Sequence, residues 1–342
     1  MKVGIIGCGK IAQVRHIPEY LDNNAVTIEG YYDYDYDRAS ELAKVHGGKA
    51  YKSLDKMLDE KDIDAVSVCV ANNAHADITI QALKAGKHVL CEKPMATNIE
   101  DCRKMVEAAK SNSKFLMIGQ NQRFVGTHIR ARELIKAGEI GKALTFKTTF
   151  GHGGPENWSI DKGKNNWFFD KKKASMGAMA DLGVHKTDLI RFLLDDDIVE
   201  VTGKLVTLDK RNSEGELIDL DDNALCIYQM SSGVIGTMTS SWTYYAHEDN
   251  STIIYGTKGI MKIFGNPAYS IEVDKKVGEE DFYKVDKIQT NDNQTKSGII
   301  DEFVDALTHN RKPSVSGETV LNTMEAVFAA IDSSNEGRTV KI

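Results

Sequence analysis

The chain has 342 residues, more than one compact core usually holds, so two domains are expected. Hydrophobic residues make up 41% and charged residues 27%, which excludes wholesale disorder, and a net charge of -7 with both signs interspersed argues against a nucleic-acid partner. Cys8, Cys69, Cys91, Cys102 and Cys226 show no CxxC spacing, no leader peptide is expected over residues 1–11, and no apolar run approaches the roughly 18–20 residues of a membrane span, so they read as reduced thiols of a cytoplasmic protein without a membrane partner.

In the first third, apolar runs alternate with amphipathic stretches. Strands are predicted at 2–6, 26–33, 65–70, 88–91 and 115–118, most of them short apolar runs suited to burial on both faces. Between them lie a loosely patterned helix over 77–85 and a cleaner one in which Cys102, Met105, Val106 and Ala109 follow spacings of three and four. This βα rhythm implies a parallel sheet.

Gly7-Cys8-Gly9-Lys10-Ile11-Ala12 follows the first strand and opens a helix, the GxGxxA form of the dinucleotide fingerprint. Gly7 permits the tight turn, Gly9 lets backbone approach a pyrophosphate, and Ala12 lets the helix that begins at Lys10 and Ile11 sit close to the strand with its N-terminus toward phosphate. The second strand ends in Asp33, where a carboxylate accepts hydrogen bonds from both adenosine ribose hydroxyls and repels a 2′-phosphate. The cofactor expected is therefore NAD rather than NADP. The competing reading is a sharp turn with solvated acids at Asp33, Asp35 and Asp37.

Asn72, Asn73 and His75 follow the strand ending at Val70, on the edge where open parallel sheets bind ligands, and are expected beside the cofactor. His75 is equally placed to cap the helix it precedes. Glu92-Lys93-Pro94 ends the next strand at the same edge, with Glu92 on the cofactor side and Lys93 aimed at substrate. There the lysine ammonium would hold a hydroxyl and stabilise the alkoxide that develops as hydride leaves.

After residue 122 the texture changes to longer strands of β-branched and aromatic residues, at 145–150, 225–230, 234–242 and 260–264, with Ser231-Ser232-Gly233 as a hairpin turn. These predict one large, mostly antiparallel sheet, with helices over 181–194, 299–308 and 319–333 packed on one face, and a loop or edge strand over 285–296. The expected domains are 1–122 and 123–342. Asp181, His185 and Asp188 share a helical face. His185 is the expected general acid/base, and Asp181 either binds an adjacent hydroxyl or orients His185. The alternative is a structural hydrogen-bonded pair. No third ligand at helical spacing accompanies them except Asp188, so no metal is expected. Trp158 and Trp167, in the long polar stretch 151–173, suit sugar faces or core packing equally, and Arg123 either contacts substrate or pairs with a carboxylate.

GIIGCGKIA, HVLCEKPMA, GQNQRF and DLGVHKTDL occur in this order, and together the chain resembles the glucose-fructose oxidoreductase, inositol dehydrogenase and MocA family over nearly its whole length. The resemblance implies a Rossmann domain followed by an α+β domain with a large open sheet that is completed by a short strand at 339–342 and assembles homodimers or homotetramers. It also implies a small polyhydroxylated substrate such as a sugar or cyclitol, and matches Lys93, Asp181 and His185 to the family's site. The glycine-rich run often seen before the histidine helix is here Ser175-Met176-Gly177-Ala178-Met179. Besides a dehydrogenase or reductase, the residues admit a non-catalytic NAD sensor, against which Lys93 and His185 argue, and an NAD-dependent glycosidase.

Overall fold

The structure is a computed structural model that describes residues 1–160, 162–286 and 296–342. It comprises two units, one of residues 1–120, 172–174 and 291–321, the other of residues 121–171, 175–290 and 322–342. Each has its own sheet.

The first unit holds a six-stranded parallel sheet: β1 (Lys2–Ile6), β2 (Thr27–Tyr32), β3 (Lys49–Ala50), β4 (Ala65–Val68), β5 (His88–Cys91) and β6 (Leu116–Ile118), in the order β3-β2-β1-β4-β5-β6. The order reverses between β1 and β4, and the crevice outside the carboxyl ends of the strands there is where doubly wound sheets bind ligands. β4 is buried along its whole length, as its continuous apolar run requires. The helices begin where side chains satisfy their free N–H groups: Asp35 caps Tyr36–His46, and Asn98 accepts from Asp101 N–H at 2.8 Å to start Ile99–Ser111. The loosely patterned helix runs over His75–Lys84.

The expected division after residue 122 meets one substantial correction. Residues 291–321 belong to the first unit, and the helix Ile299–Thr308 packs there instead of on the large sheet. Its buried Ile299, Ile300, Phe303 and Val304 face the same core as Ile17 and Tyr20 of the helix Ile17–Leu21, and polar contacts fix the pairing: Ser297 N–H donates to Glu19 at 2.8 Å and Asn23 to Asp301 at 2.8 Å. Amphipathicity identifies a face to be buried but not the sheet it will be buried on.

The second unit is built on β7 (Ala143–Gly151), β8 (Ile198–Val206), β9 (Asn223–Met230), β10 (Ile235–Ser241), β11 (Thr252–Gly256), β12 (Gly259–Asn266), β13 (Tyr269–Lys275), β14 (Glu280–Tyr283) and β15 (Val340–Lys341). They pair in the order β14-β13-β12-β11-β7-β10-β9-β8-β15, antiparallel except β7 with β10. The β9–β10 hairpin turns at Ser231-Ser232-Gly233, with Gly233 at φ 87. β9 alternates buried and exposed residues, so one face of the sheet is covered. The covering element over β7 and β10 is a wide π turn, Met179–Gly183, continued by the helix Val184–Leu194. Residues 287–295, most of the expected loop or edge strand over 285–296, lie outside the described residues; β14 and β15 are the two edges of the large sheet among those described.

Candidate active site

The glycine loop leaves β1 at its carboxyl end. Gly7 has φ 88, and a Cβ there would fall 2.6 Å from the Cys69 carbonyl group, so no other residue fits the turn. A Cβ at Gly9 would meet nothing within 4 Å, which leaves the backbone open to an approaching pyrophosphate. Lys10 and Ile11 start the helix, Ala12 is fully buried, and a π turn over Ala12–His16 widens it where it passes the sheet. Asp33 stands beside the loop. Its Oδ2 accepts the Cys8 N–H at 2.6 Å and its Oδ1 the Asp35 N–H at 2.8 Å, while Arg38 reaches Oδ1 at 3.8 Å. Tyr34, next in sequence, is fully exposed. The tight turn, the open position and the carboxylate at the end of β2 together fit NAD.

The second edge lies at the ends of β4 and β5. His75 is 1% exposed, and its ring nitrogens face two backbone carbonyls, Pro94 O at 2.7 Å and Val70 O at 3.1 Å. Both ring nitrogens are turned to main-chain carbonyls of the two loops, and the neutral ring donates to one of them at a time. Burial lowers its pKa against the opposing pull of the Pro94 carbonyl, Glu92 and the Val70 carbonyl. Asn72 and Asn73 donate their amides to Ala174 O and Lys172 O, both at 2.9 Å, so each fastens the short segment 172–174. Glu92 is 4% exposed and accepts the backbone N–H of Lys93 at 3.1 Å. The carboxylate therefore sits behind the lysine, in the wall of the crevice.

In the second unit, Asp181 lies in the π turn and His185 at the start of the helix that follows, 6% and 7% exposed. The Asp181 Oδ2 accepts the Trp242 indole N–H at 3.0 Å, with His152 Nε2 4.0 Å away. Phe150 lies 6.2 Å from the His185 ring and 5.9 Å from the His152 ring, measured between centroids. Trp158 packs edge-on against Phe168 at 5.1 Å, Trp167 stacks on Phe168 at 3.9 Å, and Phe168 and Phe169 both reach Trp242. The buried Trp158 indole nitrogen has no hydrogen-bond partner among the described residues. A carboxylate and an imidazole thus rise from one helix beside an aromatic wall, the chemistry that holds a hydroxylated ring and moves its proton.

The start of this helix is fixed from the segment just ahead of β9. Asp221 accepts the N–H of Gly177 at 2.8 Å and of Met179 at 2.7 Å through its two oxygens, and its carbonyl accepts Ala178 N–H at 2.8 Å. A Cβ on Gly177 would lie 1.8 Å from Asp221 O, so this glycine of the Ser175–Met179 run is required. Burial pushes the Asp221 carboxyl up to about 7, against the pull of the two N–H groups.

Arg123 takes the second of its two expected roles. Its guanidinium is bidentate on Asp188, at 2.6 Å through both nitrogens, and Asp188 also accepts from Thr323 at 3.0 Å. Arg123 is thereby withdrawn from substrate, and Asp188, although on the predicted face with Asp181 and His185, belongs to the packing of this unit. Sequence reasoning missed Trp242, His152, Phe150 and Asp221, which come from the ends of distant strands with no local motif.

Residues 1–120 match the model of an oxidoreductase family with an NAD-binding Rossmann fold, and residues 128–262 match the GFO/IDH/MocA C-terminal domain. The chain is 26% identical to a myo-inositol 2-dehydrogenase of Thermotoga maritima over 351 aligned positions, covering 100% of this chain and 98% of that protein. It is 30% identical to a glucose-6-phosphate 3-dehydrogenase of Bacillus subtilis over 243 positions, 70% of this chain and 67% of that one. Its fold is similar to that of levoglucosan dehydrogenase solved with NADH and L-sorbose, with TM-score 0.88 at 23% identity over 100% of this chain and 98% of that one.

Proposed function

The chain belongs to the GFO/IDH/MocA oxidoreductase family, and from that membership we propose how its residues divide the NAD-dependent oxidation or reduction of a sugar, sugar derivative or inositol. Bound NAD supplies the hydride acceptor, or NADH the donor. The backbone of Gly7 and Gly9 and the helix start at Lys10, Ile11 and Ala12 hold the pyrophosphate, and Asp33 holds the ribose hydroxyls. The Lys93 ammonium stabilises the developing alkoxide, and His185 takes the hydroxyl proton or returns it. Asp181 accepts a hydrogen bond from a neighbouring hydroxyl. The Trp158 N–H, unpaired among the described residues, adds a donor, and the rings of Trp158 and Trp167 suit the apolar face of a sugar.

The observation that carries this reading is the Asp181–His185 pair beside its aromatic wall, an arrangement made for a hydroxylated ring. The relatives named for inositol and glucose 6-phosphate support the same substrate class. A screen of inositols, aldoses, uronic acids and sugar phosphates with NAD, followed at the reduced-nicotinamide absorbance, is expected to yield turnover with a narrow set. Tight NADH binding without turnover on any of these would overturn the reading in favour of a sensor.

No helix among the described residues is long and apolar enough to cross a membrane. All five cysteines are buried free thiols, which supports a reducing, cytoplasmic setting. Leu225, Ile227 and Ile235 are about half exposed on the outer face of the large sheet, which supports a homodimer or homotetramer formed through that face.

A further inference from the structure

Five buried polar side chains form a chain behind the Lys93 backbone, all within the first unit. The Tyr20 hydroxyl lies 2.8 Å from Ser67 Oγ on β4, Ser67 Oγ lies 3.1 Å from His16 Nδ1, and His16 Nε2 lies 2.9 Å from Glu92 Oε1. Arg15 reaches the same Glu92 oxygen at 3.5 Å, and the other oxygen accepts the Lys93 N–H at 3.1 Å. None of Tyr20, Ser67, His16, Glu92 and Arg15 is more than 6% exposed. An interior carboxylate is costly unless fully hydrogen-bonded, so a feature of this kind has to be held together by its partners.

The chain has one consistent direction. Burial pushes the Tyr20 phenol well up, against the Ser67 hydrogen bond, so it stays protonated and donates to Ser67. Ser67 then donates to His16 Nδ1, which leaves the His16 proton on Nε2, aimed at Glu92. The π turn over Ala12–His16 is what carries Arg15 and His16 inward to meet β4 and β5.

We infer that His16 and Glu92 are positioning residues for Lys93, with His16 keeping Glu92 ionised so that its carboxylate fixes the backbone presenting the lysine. The inference rests on the reading of Lys93 as the catalytic lysine. Burial alone would raise the Glu92 pKa, but the His16 hydrogen bond and the charges of Arg15 and Lys93 outweigh it and hold the carboxyl well below the usual range. The other titratable groups facing Glu92 are Cys69 and Cys91, whose thiols burial pushes up, and His75, which burial pulls down. They stay uncharged near neutrality, and the ionisation of Glu92 depends on Arg15, His16 and Lys93.

Because the folded-state pKa of Glu92 is depressed, the device is intact at neutral pH and fails as pH falls through that value. Removing the His16 donor lets burial win and moves the failure to higher pH. The test uses the full-length protein and the variants His16→Leu, His16→Gln and Ser67→Ala. Gln keeps an N–H at the distance of Nε2, Leu does not, and Ser67→Ala removes only the hydroxyl behind the ring. Titration of the Glu92 carboxyl by carbon-13 NMR without cofactor, assigned with Glu92→Gln, reads the ionisation directly. Its midpoint should rise by about one pH unit or more in His16→Leu, by less in Ser67→Ala, and return in His16→Gln.

The acid limb of kcat/KM should move to higher pH in the same order, with the NADH Kd unchanged. An unmoved Glu92 midpoint in His16→Leu, or in Ser67→Ala if the leucine variant does not fold, overturns the inference. Full turnover in Lys93→Ala would instead overturn the reading on which it rests, while the NMR titration would still report on the His16–Glu92 pair.

Discussion

Trp242 donates its indole N–H to the Asp181 carboxylate at 3.0 Å, and both residues are anchored by neighbours in sequence on β9's leading edge. The Trp242 backbone N–H donates to Asp222 O at 2.8 Å, while Asp221 clamps Gly177 and Met179 just ahead of Asp181. One two-residue segment thus sets both sides of the bond, and the carboxylate has a defined orientation before any substrate arrives.

Trp242→Phe keeps an aromatic ring against Phe168 and Phe169 but removes the N–H. A buried hydrogen bond to a charged group contributes about 1.5–3 kcal/mol, so kcat/KM for substrate should fall roughly 10- to 100-fold. The NADH Kd, measured by fluorescence, should stay unchanged. An unaltered kcat/KM would mean that Asp181 does not depend on the indole.

Asp33→Ala should do two things. It removes the carboxylate that discourages a 2′-phosphate, and with Arg38 left 3.8 Å from the vacated position, NADPH binding should improve relative to NADH. It also strips the Cys8 N–H of its acceptor, so affinity for both cofactors should drop by about tenfold through a loosened loop. Titration with NADH and NADPH separates the two effects, and an unchanged preference would assign Asp33 to the loop alone.

The parallel sheet was legible because its buried strands read as short apolar runs and the glycine loop has a spacing that only a strand-turn-helix satisfies. Lys93, Asp181 and His185 sit in local motifs and were equally accessible. The aromatic wall was not, because Phe150, His152 and Trp242 come from two strands that pair in parallel across a long connection, and nothing local distinguishes them from core residues. Arg123 was placed between two roles for the same reason: its partner Asp188 is distant in sequence, and only the fold brings them within 2.6 Å. The helix Ile299–Thr308 carried a strong apolar stripe without any mark of which sheet it would cover.

Lys186 is fully buried beside His185, with its ammonium donating to Asn250 O at 2.9 Å. Burial pulls its pKa down to about 7, against the charges of Asp249 and Glu248. Between about 7 and the ordinary 10.5 the unfolded chain holds a proton that the folded one does not, so stability should rise with pH across that window. The difference between the urea midpoints of the wild type and Lys186→Met should therefore shift in favour of the wild type as pH rises above neutrality. Parallel slopes would exclude Lys186 as the source.

Leu225 and Ile227 on β9 and Ile235 on β10 project from the face of the large sheet opposite its covering helix, each about half exposed. If copies associate through this face, Ile227→Lys buries an unpaired charge and should shift the protein to a smaller species in light scattering, with the NADH Kd retained. An unchanged mass would place the interface elsewhere.

The division of labour between Lys93 and His185 gives the most direct test of the proposed chemistry. General acid/base catalysis contributes about 10²- to 10⁴-fold, so His185→Ala should lower kcat by that order with saturating substrate. Lys93→Ala should cost at least as much, because it removes the positive charge that stabilises the developing alkoxide. Lys93→Arg should not rescue, since a planar guanidinium does not reproduce a compact ammonium. The double variant should lose less than the product of the two single losses, as residues serving one transition state are non-additive. The pH profile of oxidation should rise through one group near neutrality and lose that limb in His185→Ala. NADH affinity is the internal control throughout: both variants should bind it normally. Near-wild-type turnover in either alanine variant would leave the reaction without its proposed proton carrier or its proposed cation, and would return the sensor reading to first place.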